Sequence, residues 1–211
     1  MGQKILRTIK RLFFPLAIIF IATTFTGAYF SDSVAITNNS FTVGEPEPEL
    51  GRVVISEVFY YNPANIANNQ WVELYNAGGS AVDIKGWVIC DNANHCGTLN
   101  PAKKTEIAPG GYVVIAHSAS DLKSRTIPIT AEIIYYAGPK IVFNNSAGDA
   151  VILKNDSEVI IDQMSYGGDI SAFNPSCPAV ASGHSLARNP AGNDTNSASD
   201  FIDLALPTPG I

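Results

Sequence analysis

Helical periodicity is what this sequence most plainly lacks. Beyond about residue 31 no stretch repeats apolar residues every three to four positions, and only SASDLKS, residues 118–124, suggests a single helical turn. Positive charge is scarce as well. Residues 29–211 hold nine Lys and Arg against nineteen Asp and Glu, a net of −10, with no basic cluster beyond Lys103 and Lys104. Such a surface repels phosphate backbones, so nucleic acid is not an expected partner. Long apolar runs are missing too, with one exception at residues 12–31.

That exception follows Lys4, Arg7, Lys10 and Arg11, and it ends in the small residues Thr26, Gly27 and Ala28. A basic start, an apolar stretch and a small-residue end describe a signal peptide cut between Ala28 and Tyr29. About 20 uncharged residues also just span a bilayer, so a membrane anchor with its basic flank in the cytoplasm is the competing reading. Either way the rest of the chain is expected outside the cell. The polar stretch that follows ends in EPEPEL, residues 45–50, where alternating proline and like-charged glutamate favour an extended spacer. The expected domains are therefore residues 1–28 as leader, 29–50 as linker and 51–211 as the folded part.

What fills that last part is a succession of short β-branched and aromatic runs: RVVISEVFYY, QWVELYNA, AVDI, GWVICD, GYVVIAHS, EIIYY, DAVILKN and EVIIDQMSYG. Turn signals separate them, among them NPAN, NAGGS, APGG, NNSAG and KNDS. Residues 155–157 and residues 76–80 are each short enough to close a hairpin. Many close-spaced strands without a fixed repeat predict an all-β antiparallel sandwich or barrel. The Cys, Trp, Cys spacing of antibody domains is absent.

Taken in order, VVISEVFYYN, QWVELYN, SAVDIKGWVICD, IAPGGYVVIAHS, SAGDAVILKNDSEVIID and GHSLARNPAGNDTNSASDFIDLALPTPG resemble the lamin-tail domain over residues 52–210. The resemblance implies an immunoglobulin-like antiparallel β-sandwich, here preceded by an N-terminal hydrophobic helix. It also implies an absence of any active site, and the role of an accessory module in exported prokaryotic proteins. GHSLARNP corresponds to that family's final strand. Separately, residues 1–44, with TGAYFSDSVAITNNSFTVG, resemble the start of camelysin and biofilm-matrix secreted proteins, which implies a cell-surface or matrix destination.

Several residues invite a chemical role. In QWVELYN a period of two puts Trp71, Glu73 and Tyr75 on one face and Val72 and Leu74 on the other. A catalytic Glu73 needs a partner such as Glu57 or Asp91. The favoured alternative is a buried structural tie, since buried polar groups must be paired; the resemblance places Glu73 and Asn76 in the family's hallmark strand. Asp194, Asn196, Ser199 and Asp200 supply oxygens for calcium but lack the bidentate Glu of an EF-type loop, so turns that lock the last segment down are preferred.

His184 and Ser185 are adjacent in a strand pattern and point to opposite faces, which argues against a nucleophile and base. His95 and His117 are isolated, and Arg188 is expected to pair with a carboxylate. Tyr60, Tyr61, Tyr135, Tyr136, Phe143 and Phe173 either cap the core or form a recognition patch.

Cys90, Cys96 and Cys177 all lie in the exported part, where disulfides persist. One pair and one leftover thiol is the simplest count. Cys90 with Cys96 is the first choice and Cys96 with Cys177 the competitor; a zinc site from Cys90, His95, Cys96 and Cys177 is the third possibility.

These readings lead to an exported, non-enzymatic surface module, a binding or structural element that needs no cofactor. Its partner would be an envelope protein, a polysaccharide or another copy of itself, with membrane contact only through an uncleaved leader. A matrix or fibre subunit is the alternative, and a surface hydrolase the remaining one.

Overall fold

The computed structural model describes residues 51–61, 69–99, 106–122 and 128–211. The chain divides into two units, residues 1–45 and 46–211, and every described residue lies in the second. The expected leader, its cut between Ala28 and Tyr29, its camelysin-like segment, its hydrophobic helix and the linker of residues 29–50 lie outside the described residues.

Among the described residues the protein is all-β. Its strands are β1 (Val53–Phe59), β2 (Trp71–Asn76), β3 (Val82–Asp83), β4 (Val88–Cys90), β5 (Cys96–Leu99), β6 (Glu106–Ile107), β7 (Tyr112–Ala116), β8 (Glu132–Ala137), β9 (Asp149–Lys154), β10 (Ile160–Tyr166), β11 (Ser185–Arg188) and β12 (Phe201–Leu204). Ten of them form one sheet in the order β10-β9-β4-β5-β8-β7-β2-β1-β11-β12, and β3 pairs with β6 in a small second sheet.

The strand β8 turns the corner. Its first residues run beside β7 and its last two, Tyr136 and Ala137, pair with β5. The sheet curls until β10 meets β1 again, where Asp162 Oδ2 accepts the Ile55 amide at 2.7 Å. Two facing halves around a single core are consistent with a β-sandwich. Val53, Ile55, Val72, Leu74, Val113 and Ile115 enter that core from one half, and Ile89, Leu99, Val151, Leu153 and Met164 from the other.

On β2 the alternation expected from the sequence holds. Val72 and Leu74 belong to the main core, while Trp71 joins Phe59, Val114 and Ala116 in a second cluster on the outer face. On β1 the alternation is interrupted: the register slips between Ile55 and Glu57, a β-bulge. Because one extra residue moves every following side chain to the opposite face, Val58 stays in the core and Glu57 comes to the outer face, directly opposite Glu73.

Several expectations are corrected. The pairing is not wholly antiparallel, since β7 and β8 run parallel. Residues 76–80 do not close a hairpin; β2 pairs with β1 and β7, and the next strand, β3, leaves for β6. The reason is the Asn76 side chain, which holds the loop folded by accepting the Gly78 amide and donating to Ser80 O. Residues 155–159 do connect β9 to β10, organised by Asn155 Oδ1, which accepts the Ser157 and Val159 amides at 3.0 Å each. Finally, the SLAR strand is not the last, because β12 follows and pairs with it.

Candidate functional site

Glu73 is 1% exposed, and two donors meet it: Ser56 Oγ at 2.6 Å on Oε1 and the Gly210 amide on Oε2. Burial lifts its pKa to about 7, and neighbouring Glu57 adds to the rise against the two hydrogen bonds. Glu57, also buried, accepts from Ser185 Oγ at 2.5 Å and from the Thr208 amide and hydroxyl. Asp91, the other partner considered for Glu73, is engaged elsewhere, with His95.

Asn76 is fully buried and uses both ends of its amide. Nδ2 donates to Ser80 O and Ile107 O at 2.8 Å each, and Oδ1 accepts the Gly78 and Arg52 amides at 3.0 and 3.3 Å. The side chain therefore joins the start of β1, the end of β2 and β6.

Two of the residues considered for calcium, Asp194 and Asp200, bind a guanidinium instead. Arg188 Nη1 donates to Asp194 and Asp200 at 3.2 Å each, Nη2 to Asp162 at 2.8 Å, and Nε to Ile55 O at 2.9 Å. Asp200 also accepts from Thr195 and Asn193, and caps residues 198–200 in a reciprocal box with Ser197. Asn196 contributes its backbone amide, to Asp194 Oδ1, at 3.2 Å. Among the described residues no group of three or more His, Cys, Asp or Glu is arranged to hold a metal ion.

Cys90 and Cys96 form a disulfide between register partners of the β4–β5 hairpin. That overturns the zinc set and the Cys96 to Cys177 pairing together. Cys177 is a free, buried thiol whose pKa is pushed up to about 12 by that burial, which makes it inert at neutral pH. The disulfide closes a short loop, so replacing both cysteines by serine is expected to cost about 2 kcal/mol of unfolding free energy. Urea melts of the oxidised protein and the double variant check it.

Ser185 points to Glu57 and His184 to Asp203 at 2.7 Å, on opposite faces as the strand pattern requires. Of the six aromatics, Tyr60, Phe143 and Phe173 are core residues, and Tyr60 stacks on Tyr166 with ring centroids 3.7 Å apart. Gln70, for which the sequence pattern offers no signal, clasps residue 143 in both directions, Nε2 to its carbonyl at 2.7 Å and Oε1 to its amide at 2.9 Å.

The cavity that stands out is a cleft of about 470 Å³ bordered by Asp91, Asn92, His95, Asn144, Asp149 and Asp169. Three loops build it. Asp149, 3% exposed, accepts the Asn92 amide at 3.1 Å on one oxygen and the Asn144 amide at 2.9 Å on the other, which ties the β4–β5 turn to the loop before β9. Asn92 Nδ2 reaches Asp169 at 2.6 Å and brings in the loop after β10. Asp91 organises the turn itself through the Ala93 and His95 amides and His95 Nδ1 at 2.7 Å.

Burial raises the pKa of Asp149 above the usual carboxylate range, against its amide donors. At Asp169 the Ser171 and Asn92 donors outweigh burial and lower it. Lys140 and the half-exposed Val142 complete the rim. The segments DNANH and NNSAG signalled turns but not their convergence.

The described residues form an all-β scaffold with buried polar ties, and three of its loops gather around the cleft. The family model of the lamin tail domain matches residues 46–168, and the chain belongs to that family. The strands β11 and β12 lie beyond the matched residues yet complete the same sheet. In structure the chain is similar to a DUF4876 family protein from Bacteroides thetaiotaomicron, 13% identical, over 74% of this chain and 72% of that one, with a TM-score of 0.50. No curated protein matches the sequence. The lamin tail domain fold suggests a non-enzymatic binding or structural module.

Proposed function

We propose that the protein is an exported surface module, an immunoglobulin-like sandwich that binds a neutral envelope polysaccharide in the cleft bounded by Asn92, Asn144 and Asp169. The cleft carries this reading. Its volume of about 470 Å³ falls in the usual range of roughly 300–1,000 Å³ for ligand sites. It is also pre-organised by Asp149 and the disulfide, which lowers the ordering cost of binding.

Planar carboxylate and carboxamide groups suit the paired hydroxyls of a sugar. Three aspartates against Lys140 disfavour phosphorylated or uronic ligands. The disulfide is in keeping with an oxidising compartment and so with export. The closure of Glu57 and Glu73 onto the chain itself supports a structural rather than a catalytic use of those carboxylates.

The test is calorimetric titration of the full chain with neutral glycan fragments of the envelope, beside a Val142→Arg variant that places a long side chain across the rim. Affinity is expected to fall at least about tenfold, equivalent to about 1.4 kcal/mol, with the melting temperature unchanged. Equal binding by both proteins would remove the cleft from the account.

A further inference from the structure

The triplet Asn-x-Ser/Thr, with any residue but proline in the middle, is the acceptor signal for N-linked sugar on exported chains. It occurs here at Asn38, Asn144, Asn155 and Asn193. Asn38 lies outside the described residues, and the fold treats the other three differently.

A carboxamide can accept a sugar only if its nitrogen can be reached. Asn193 Nδ2 donates to Asp200 at 2.8 Å beside Arg188, so that nitrogen is taken. Asn144 is gripped by its main chain, whose amide donates to Asp149 at 2.9 Å and whose carbonyl accepts the Tyr166 hydroxyl at 3.1 Å. It also borders the cleft, where a linked sugar would stand in the way of a free one.

Asn155 begins the turn between β9 and β10 and is itself partly exposed. Its Oδ1 accepts the Ser157 and Val159 amides at 3.0 Å each, an Asx turn that occupies the oxygen. Nδ2 makes no hydrogen bond among the described residues. The Ser157 hydroxyl, third in the triplet, donates to Asp156 at 3.3 Å on the surface, and every residue from 156 to 160 is exposed.

A second observation points to the same place. Val159 and Ile160 are 56% and 51% exposed, and Ile160 stands directly opposite Lys154, the neighbour of Asn155. The strand β10 ends the ten-stranded order, and an open edge with apolar residues invites pairing with other chains unless something covers it. A sugar on Nδ2 projects over that apolar pair and bars the approach of another strand. The cleft stays open, because at about 3.3 Å per residue β9 separates Asn155 from Asp149 by roughly 20 Å.

We propose that Asn155 carries an N-linked saccharide that covers the start of β10. In the transfer, Nδ2 bonds to C1 of a saccharide carried on a polyprenyl diphosphate. The C1–O bond to the diphosphate breaks, the polyprenyl diphosphate leaves with that electron pair, and one carboxamide proton passes to a base of the transferase. The proposal rests on the export reading above, since the signal acts on exported chains, and not on the cleft.

Peptide mass spectrometry of the full chain, isolated from the cells that make it, tests this under fragmentation that keeps a sugar on its residue. Ser157→Ala and Ser157→Thr proteins made in the same cells are run beside it. A saccharide on Asn155 is expected in the wild type and in Ser157→Thr. Its loss is expected in Ser157→Ala, which keeps the residue 157 amide and so the turn. An exported chain with Asn155 bare overturns the proposal, whichever other asparagine carries sugar, and so does sugar that persists in Ser157→Ala. Cell fractionation of the same sample keeps the two readings apart, because a chain retained in the cytoplasm contradicts export itself and the proposal with it. Sedimentation tests the cover: Ser157→Ala is expected to self-associate at lower concentration than the wild type, and equal association overturns the covering role.

Discussion

Arg188→Met is expected to destabilise the protein by about 3–5 kcal/mol, the usual cost of removing one partner from a buried ionic cluster. The guanidinium is enclosed by Asp162, Asp194 and Asp200, donates to Ile55 O and Asn193 O, and lies 4.6 Å over the Phe201 ring. Without it the buried carboxylates of Asp162 and Asp200 lose their counter-charge, and β1, β10 and residues 193–200 lose their common anchor.

Methionine fills much of the volume, so the loss reads charge rather than packing. Lysine should not rescue it, because an ammonium cannot reach Ile55 O, Asp162 and Asp200 at once as a planar fork does. At about 2–4 °C per kcal/mol for a domain of this size, the melting temperature should drop by on the order of 10 °C. Adding Asp162→Asn should recover part of it. A drop of no more than a degree would show that Arg188 is not the anchor.

The second large effect is expected at Asn76. Alanine there leaves the Ile107 carbonyl and the Gly78 amide without their partner, and frees Ser80 O and the Arg52 amide. With about 1–3 kcal/mol for each buried group left unpaired, the loss should reach about 3 kcal/mol. Asn76→Asp is the sharper test, since it keeps size and acceptor but cannot donate to Ser80 O and Ile107 O. Denaturant melts should place it as low as alanine. An aspartate variant as stable as the wild type would mean that the amide donors do not matter.

How much of the fold was legible in the sequence depends on physical range. The strands β1, β2 and β7 to β10 declared themselves because alternation and β-branched residues act within a few positions. Residues 96–99, CGTL, and residues 106–107 carry too little apolar pattern to read as strands, and become β5 and β6 only through neighbours distant in sequence. The parallel pairing of β7 with β8 leaves no local mark either.

The GGS after Asn76 looked like a hairpin because turn chemistry says where a chain bends, not which strand it meets next. The AGNDTNSASD stretch showed a crowd of oxygens, and the missing term was a cation already in the chain: Arg188 beside it, and Asp162 drawn in from β10. The cleft was invisible for the same reason. Its turns were recognised one by one, but only the buried Asp149 gathers them.

The central claim, a non-enzymatic module that binds through its loop-end cleft, is tested most directly by following the backbone amides of the full chain by NMR while neutral envelope glycan fragments are added. Saturable shifts confined to Asn92, Ala93, His95, Asn144, Gly148 and Asp169 are the predicted result. Shifts centred on Glu57 and Glu73 with turnover of the glycan, or no shifts in the cleft at all, would contradict it.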